Sequence, residues 1–426
     1  MMLGFDMNRF TSSIPVLLLV FAFLSSPLLV SVALATDEDS WTTLEPMAKA
    51  RAIVGVAVVD GKIYAIGGSY DSCGVEEYDP VTNTWTTKMP MPTPRIWFGI
   101  AVVDDKIYVI GGDSGNWTAD ITPTNVNEVY DPATDTWETL TPMSTKRMAV
   151  SASVVDGKIY VIGGGQRAPD TNFDVNEVYD PTTDTWTTKT SIPTGVEHHT
   201  SVVVDNKIYV MGGAVGVTLN QIYSTETDTW SNGTPLPEGV DSAAAVVTSG
   251  VYASRRIYVI GGKQNLDAVN FNQIYDPETD TWITGTPMPT ARYALGAAII
   301  NDVLYAIGGR EGWTGFPVSA ANEQYIPADY VAKFYSQSFD AGTWEDTEYD
   351  VFVVSNSTVS DFSFSNENAW VRFDVEGEEG TTGFCNVTIP KNLLNTENTW
   401  TILVDEISVT PAVNEKENYT TLHFTY

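Results

Sequence analysis

The chain has 426 residues and a formal net charge of −32, from 54 acidic and 22 basic residues. An anionic surface of that size opposes binding to phosphate backbones and to anionic lipid head groups, so nucleic acid is not an expected partner. Two cysteines, Cys73 and Cys385, are too few for a disulfide framework and are expected to be unpaired thiols.

The first predicted element lies outside the fold. Ile14 to Ala35 is mostly apolar, Arg9 precedes it, and Ala33-Leu34-Ala35 fits a small-residue cleavage site. Residues 1–35 therefore read as an export signal, which makes the mature chain secreted or bound at the cell surface. An uncleaved anchor is the rival reading; Pro27 and the small-residue end favour cleavage. No later stretch is long and apolar enough to cross a bilayer as a helix.

Residues 36–330 repeat one pattern. KIYVIGG at Lys106 has relatives starting at Lys62, Lys158, Lys207, Arg256 and Val303, and their first glycines are Gly67, Gly111, Gly163, Gly212, Gly261 and Gly308. A period of 44 to 52 residues means a solenoid or a propeller, in which each unit buries its face on its neighbours. Every unit predicts four strands: an apolar run such as Phe98 to Val103, the quoted strand, a strand ending Tyr-Asp-Pro as at Tyr130, and a threonine-flanked tryptophan such as Trp137. The Asp-Pro-x-x-Asp/Asn-Thr segments read as turns rather than calcium loops, because they lack the alternating oxygen ligands of such a loop. No metal and no cofactor is expected.

The paired glycines, the later tyrosine and the tryptophan resemble kelch repeats, and six of them resemble a six-bladed kelch β-propeller. The resemblance runs from about Ser40 to Pro327. A tryptophan stands seven residues after each of Tyr78, Tyr130, Tyr179, Tyr223 and Tyr275, but Ala332 stands seven after Tyr325. Trp41 is an outer strand without a blade. The segment Trp41 to Leu44 is therefore expected to pair with the Tyr325 strand and close the ring.

After about Ser336 the repeat ends. Runs at Tyr349, Ala369, Cys385 and Thr401 predict short strands, and residues 336–426 read as a small, Ig-like β-sandwich module, whose strand-like end at Leu422 to Tyr426 reads as cut short. The stretch Phe373 to Leu394 resembles C-terminal modules of secreted archaeal and bacterial surface proteins. The fold expected overall is all-β, a six-bladed propeller followed by a β-sandwich. Asn116, Asn232, Asn356, Asn386 and Asn418 each begin an Asn-x-Ser/Thr sequence, and these are candidate glycosylation sites in an exported chain.

Sixteen residues before the first glycine stand Arg51, Arg95, Arg147, Val196 and Arg292, with the fifth-blade equivalent expected near Gly239. The kelch resemblance places this position at the rim of the central channel, where arginines often hold acidic ligands. Four guanidinium groups around one opening suit carboxylate or sulfate. The alternative is that they pair with acids of neighbouring blades. Trp97, Tyr293 and His198 lie beside these positions and complete the candidate ligand site.

The arrangement contains no acid/base pair or metal set, and neither histidine pair nor Tyr–Cys pair fits the copper oxidases that share this fold. The chain is therefore read as a non-catalytic binding protein for a protein or an acidic glycan. A carbohydrate-active enzyme resembling the sugar mutarotases, with its site at the channel mouth, is the alternative.

Overall fold

A computed structural model describes residues 2–4, residues 39–330 apart from 70, 115–121, 167–170, 215–216 and 313–316, and strand backbone between 335 and 425. The chain parts into two compact units, Ala35–Tyr330 and the remainder. Among the described residues no helix is long and apolar enough to cross a membrane.

Ala35–Tyr330 is six four-stranded antiparallel sheets. In blade 1 the strands are Gly55–Val59, Lys62–Ile66, Val75–Asp79 and Thr84–Thr87, paired in that order from the axis outward. Blades 2 to 5 repeat it. Blade 6 takes its outer strand from the other end of the chain: Ser40–Thr43 pairs with Asn322–Ile326, Trp41 facing Tyr325. The ring therefore closes through the Trp41 strand, and blade 6 has four strands like the others.

Each hydrophobic cluster lies between two blades rather than inside one. Ile66 and Val75 of blade 1, for example, pack with Phe98, Ile107 and Tyr130 of blade 2, and the sixth cluster joins Ile307 of blade 6 to Ile63 of blade 1. A single blade has no core of its own, so the apolar gain of folding is realised only when blades stack.

The repeat residues stitch the blades. In blades 1 to 5 the Tyr hydroxyl donates to the Asp or Asn five positions on, as Tyr130 does to Asp135 at 2.6 Å. The same carboxylate accepts the backbone N–H of the neighbouring blade's Met89 at 2.8 Å, and the Trp137 indole N–H donates to the Met89 carbonyl. The first glycine of each pair adopts positive φ and abuts the next blade. A Cβ on Gly163 would lie 2.5 Å from the Val196 carbonyl oxygen, so only glycine fits. In blades 1 to 3 the leading lysine pairs with the Asp of Tyr-Asp-Pro, as Lys158 does with Asp180 at 2.8 Å.

Blade 5 carries an insertion, Ser249 to Arg255, gripped by a buried residue of blade 6. The Asp302 carboxylate accepts the backbone N–H groups of Ser249, Tyr252 and Ala253 and the Ser249 hydroxyl at 2.5 to 3.1 Å. The Tyr252 ring stacks on Tyr330, where the chain leaves the propeller.

In the other unit, Tyr335–Trp344, Thr347–Ser355, Phe384–Pro390, Tyr419–Thr425 and Ala412–Glu415 form a five-stranded antiparallel sheet. A three-stranded sheet joins Thr358–Ser365 and Trp370–Glu376 to Met2–Gly4. Residues 5–38, which carry the predicted export signal and its cleavage site, lie outside the described residues.

Candidate functional site at the channel mouth

The four predicted arginines are not a ligand site. Arg51, Arg95, Arg147 and Arg292 are each 0% exposed. Each guanidinium pairs with a buried glutamate on the third strand of its own blade: Arg51 with Glu76, Arg95 with Glu128, Arg147 with Glu177 and Arg292 with Glu323. Backbone carbonyls take further N–H groups, as Val161 and Gly163 do from Arg147. Burial pushes the guanidinium pKa values down, against the pull of the partner glutamates. The alternative weighed from the sequence, pairing with protein acids, is what the structure contains, except that the acids belong to the same blade. The fifth-blade equivalent is Val240, not Gly239: its carbonyl accepts the Gly213 N–H just as the Arg147 carbonyl accepts the Gly112 N–H.

The two blades without arginine also lack the glutamate. Val196 stands with Gln221, and Val240 with Gln273. Gln273 uses both ends of its amide on the Glu238 backbone, and Gln221 does the same on Thr194. A lone glutamate there would be a buried, unpaired charge, so the two positions change together.

Two residues past the arginine position, the chain enters the left-handed region in every blade. Ile53, Trp97, Ala149, His198, Ser242 and Ala294 have φ between 52 and 59°. Their backbones form a belt: Ile53 donates to Ala294, Ala294 to Ser242, Ser242 to His198, His198 to Ala149 and Ala149 to Trp97, at 2.6 to 3.1 Å. The belt surrounds the axis where the innermost strands begin, and so fixes the side chains at one mouth of the channel. Trp97 and His198 are brought together there, ring centroids 5.5 Å apart, over the small Ala149 between them.

The mouth is chemically lopsided. One position before the belt, blades 1 to 3 present Ala52, Ile96 and Met148, whereas blades 4 to 6 present Glu197, Asp241 and Tyr293. Each of the last two faces a cationic residue that follows a glycine pair, Asp241 with Lys263 and Tyr293 with Arg310. The Lys263 ammonium lies 3.1 Å from Asp241 Oδ2 and 5.5 Å from the Tyr293 ring centroid. Asp241 Oδ1 accepts the Ser242 hydroxyl at 2.5 Å and lies 3.8 Å from His198 Nδ1. Burial, and the nearby Lys263, hold the His198 imidazole below its ordinary pKa, with Asp241 pulling the other way. Tyr293 is buried beside this cluster, and burial raises its hydroxyl pKa.

Of the predicted residues, Trp97, His198 and Tyr293 thus lie at the mouth. Asp241, Lys263 and Arg310 were missed. Lys263 and Arg310 directly follow Gly262 and Gly309, a fixed offset from a recognised motif, and were legible there. His199, next to His198, turns away: its Nε2 hydrogen-bonds the Ser151 hydroxyl at 2.7 Å, and burial pushes its pKa down to about 3. Asn232 is exposed at the end of the outer strand of blade 4. Asn386 lies in the strand Phe384–Pro390; Asn116, Asn356 and Asn418 lie outside the described residues.

The family described as "KLHDC2/KLHL20/DRC7 Kelch-repeats domain" matches residues 29–213 and 149–370. The chain belongs to the kelch-repeat family. Similar curated proteins include Kelch-like protein 26 of Danio rerio, 33% identical over 184 residues, which are 42% of this chain and 30% of that protein. Kelch-like protein 1 of Mus musculus is 41% identical over 46 residues, 11% of this chain and 6% of that protein. The match thus spans less than a third of either relative's length. Among solved structures, the one titled "Structure of YjhT" superposes with a TM-score of 0.56 at 18% identity, covering 65% of this chain and 96% of that one. That likeness shows the fold alone. The kelch propeller is typical of protein-binding scaffolds, and its blades here leave the mouth side chains free to differ while the stitching residues repeat.

Proposed function

We propose that this chain is an exported kelch-propeller binding protein whose channel mouth takes a protein or an acidic glycan at the cell surface. The observation that carries this reading is the lopsided mouth. An aromatic and imidazole pair, Trp97 and His198, stands next to an Asp241–Lys263 pair, with Tyr293 and Arg310 beyond it. A flat sugar face or an aromatic side chain stacks on a ring such as Trp97, and a carboxylate is drawn to Lys263 and Arg310. Charged groups at a mouth of this kind bring salt sensitivity and selectivity more than raw affinity. In this reading the C-terminal unit is a β-sandwich module that spaces or attaches the propeller, and Asn232 is open to glycosylation.

The test is an array of neutral and acidic glycans probed with the full chain, followed by Trp97→Ala and Lys263→Met. Binding of acidic members that weakens with salt and is lost in both variants, at unchanged melting temperature, supports the reading. Binding that survives both variants places the ligand elsewhere.

A further inference from the structure

His198 is the one belt residue that titrates, and its surroundings are unusual. Its backbone is fixed at φ 55° by hydrogen bonds to the blades on both sides, which sets where its Cβ leaves the chain. Its Nε2 is buried and has no hydrogen-bond partner. Its Nδ1 faces Asp241 Oδ1 across 3.8 Å, longer than a hydrogen bond. Its ring lies against Trp97.

The charged groups that bear on it are few. Blade 5 supplies Asp241 and Lys263, and its own strand supplies Glu197 and His199. Blades 2 and 3 meet it with Trp97 and Ala149, which carry no charge. The Asp241 carboxylate is therefore placed between two cations, the permanent one on Lys263 and the conditional one on His198.

We infer that His198 is a pH sensor at the mouth, whose protonation draws Asp241 away from Lys263 and raises the positive charge offered to an anionic ligand. In the neutral form Asp241 neutralises Lys263. When the imidazole gains a proton, Nδ1–H closes on Asp241 Oδ1 and the cation sits against the Trp97 face, where the ring quadrupole favours it. The mouth gains one positive charge, and Lys263 is less fully neutralised. Anion binding should then tighten on acidification at fixed salt. This inference rests on the mouth being the ligand site, yet the switch itself is readable without a ligand.

The chain has three histidines, so ring ¹³C labelling of the full-length protein gives three titrating signals. The signal that vanishes in His198→Gln is assigned to His198. It is expected to titrate below the ordinary imidazole value of about 6.5. Asp241→Asn should move it down by about one unit or more, and Lys263→Met should move it up, because each removes one of the two opposing charges. A His198 midpoint at the ordinary value, or one that ignores both variants in proteins with unchanged melting, would overturn the switch. An oligogalacturonide serves as the anionic probe. Its affinity should rise along the His198 titration in the native chain and stay flat in His198→Gln; an affinity that ignores His198→Gln overturns the switch too. Failure of the probe to bind at any pH would count against the ligand reading of the mouth, while the titration still decides the sensor.

Discussion

Tyr325 donates its hydroxyl to Asp39 at 2.7 Å, although 286 residues separate them. In the other blades the same bond runs to an Asp or Asn only five residues on. Asp39 also accepts the Thr286 N–H at 2.9 Å, and the Trp41 indole donates to the Thr286 carbonyl at 2.8 Å. One acidic residue, a few positions past the predicted cleavage site, thus holds both ends of the ring. Asp39→Ala leaves the Tyr325 hydroxyl and the Thr286 amide without partners. The expected loss is about 1–3 kcal/mol in chemical denaturation. Asp39→Asn should be far milder, because Asn83 performs the same task in blade 1, accepting from Tyr78 and from Glu45. Removing residues 36–46 should open the ring and promote aggregation through the bared Tyr325 strand. A truncated chain that melts like the intact one would refute closure as the stabilising contact.

The buried arginines set a second test. Arg147→Ala strands Glu177 in the interior, and Glu177→Ala strands Arg147; each is expected to destabilise by about 3–5 kcal/mol. The double variant Arg147→Val, Glu177→Gln installs the pair found in blades 4 and 5. It should recover most of that loss. Denaturant midpoints of the three variants measure it, and a double variant as unstable as either single one would mean that the matched replacement is irrelevant.

Acid sensitivity follows from the tyrosine partners. A hydrogen bond from Tyr130, Tyr179 or Tyr275 is the main reason the carboxyls of Asp135, Asp184 and Asp280 stay below their usual range. For Asp39 and Asp228 burial works the other way but is outweighed by bonds from threonine amides and tyrosine. A carboxyl with a lowered folded pKa stabilises above its unfolded value, and that contribution is lost as pH falls through the folded one. The melting temperature should therefore drop steeply below about pH 4. Replacing Asp135 and Asp184 by Asn should flatten that drop.

His199 acts at a higher pH. Its folded pKa is depressed to about 3, so between the ordinary value and that one the unfolded chain binds more protons than the folded chain. Stability is lost as pH falls, by about 2 kcal/mol from this one group at pH 5. Isothermal denaturation at pH 7 and 5 reads the loss, and His199→Gln should remove that part of it. An unchanged pH dependence in the variant would show that the imidazole is protonated in the folded chain.

Residues 35–330 form one compact unit with its own inter-blade cores, and a fragment ending at Tyr330 is expected to fold by itself. Limited proteolysis should release it with its melting temperature intact. A shorter fragment ending at Pro327 loses Tyr330, which stacks on Tyr252, and should melt lower.

The blades, their strand order and the closing strand were legible because each rests on local pattern. Period-2 apolar runs, paired glycines and Tyr-Asp-Pro turns specify a strand or a turn within a few residues of themselves, and six copies in register leave one architecture. Even Asp39 was legible in hindsight, since Asp39-Ser40-Trp41 echoes Asp135-Thr136-Trp137.

Where the arginines lay their charge was not legible, for a physical reason. Sequence places Arg147 at the mouth end of a strand but says nothing of where a long, flexible side chain lays its charge. Only the fold decides that its guanidinium turns inward to Glu177, 30 residues on. The mouth itself has the same character. Trp97, His198, Asp241, Lys263 and Tyr293 come from four blades; the repeat offsets put each at the mouth end of its own blade but do not say which of them touch. The sequence by itself determined the repeated unit, because a strand and its turn are local. The tertiary structure alone decided which side chains meet on the axis, because that depends on closing a ring of six units and on the left-handed residue that each blade places there.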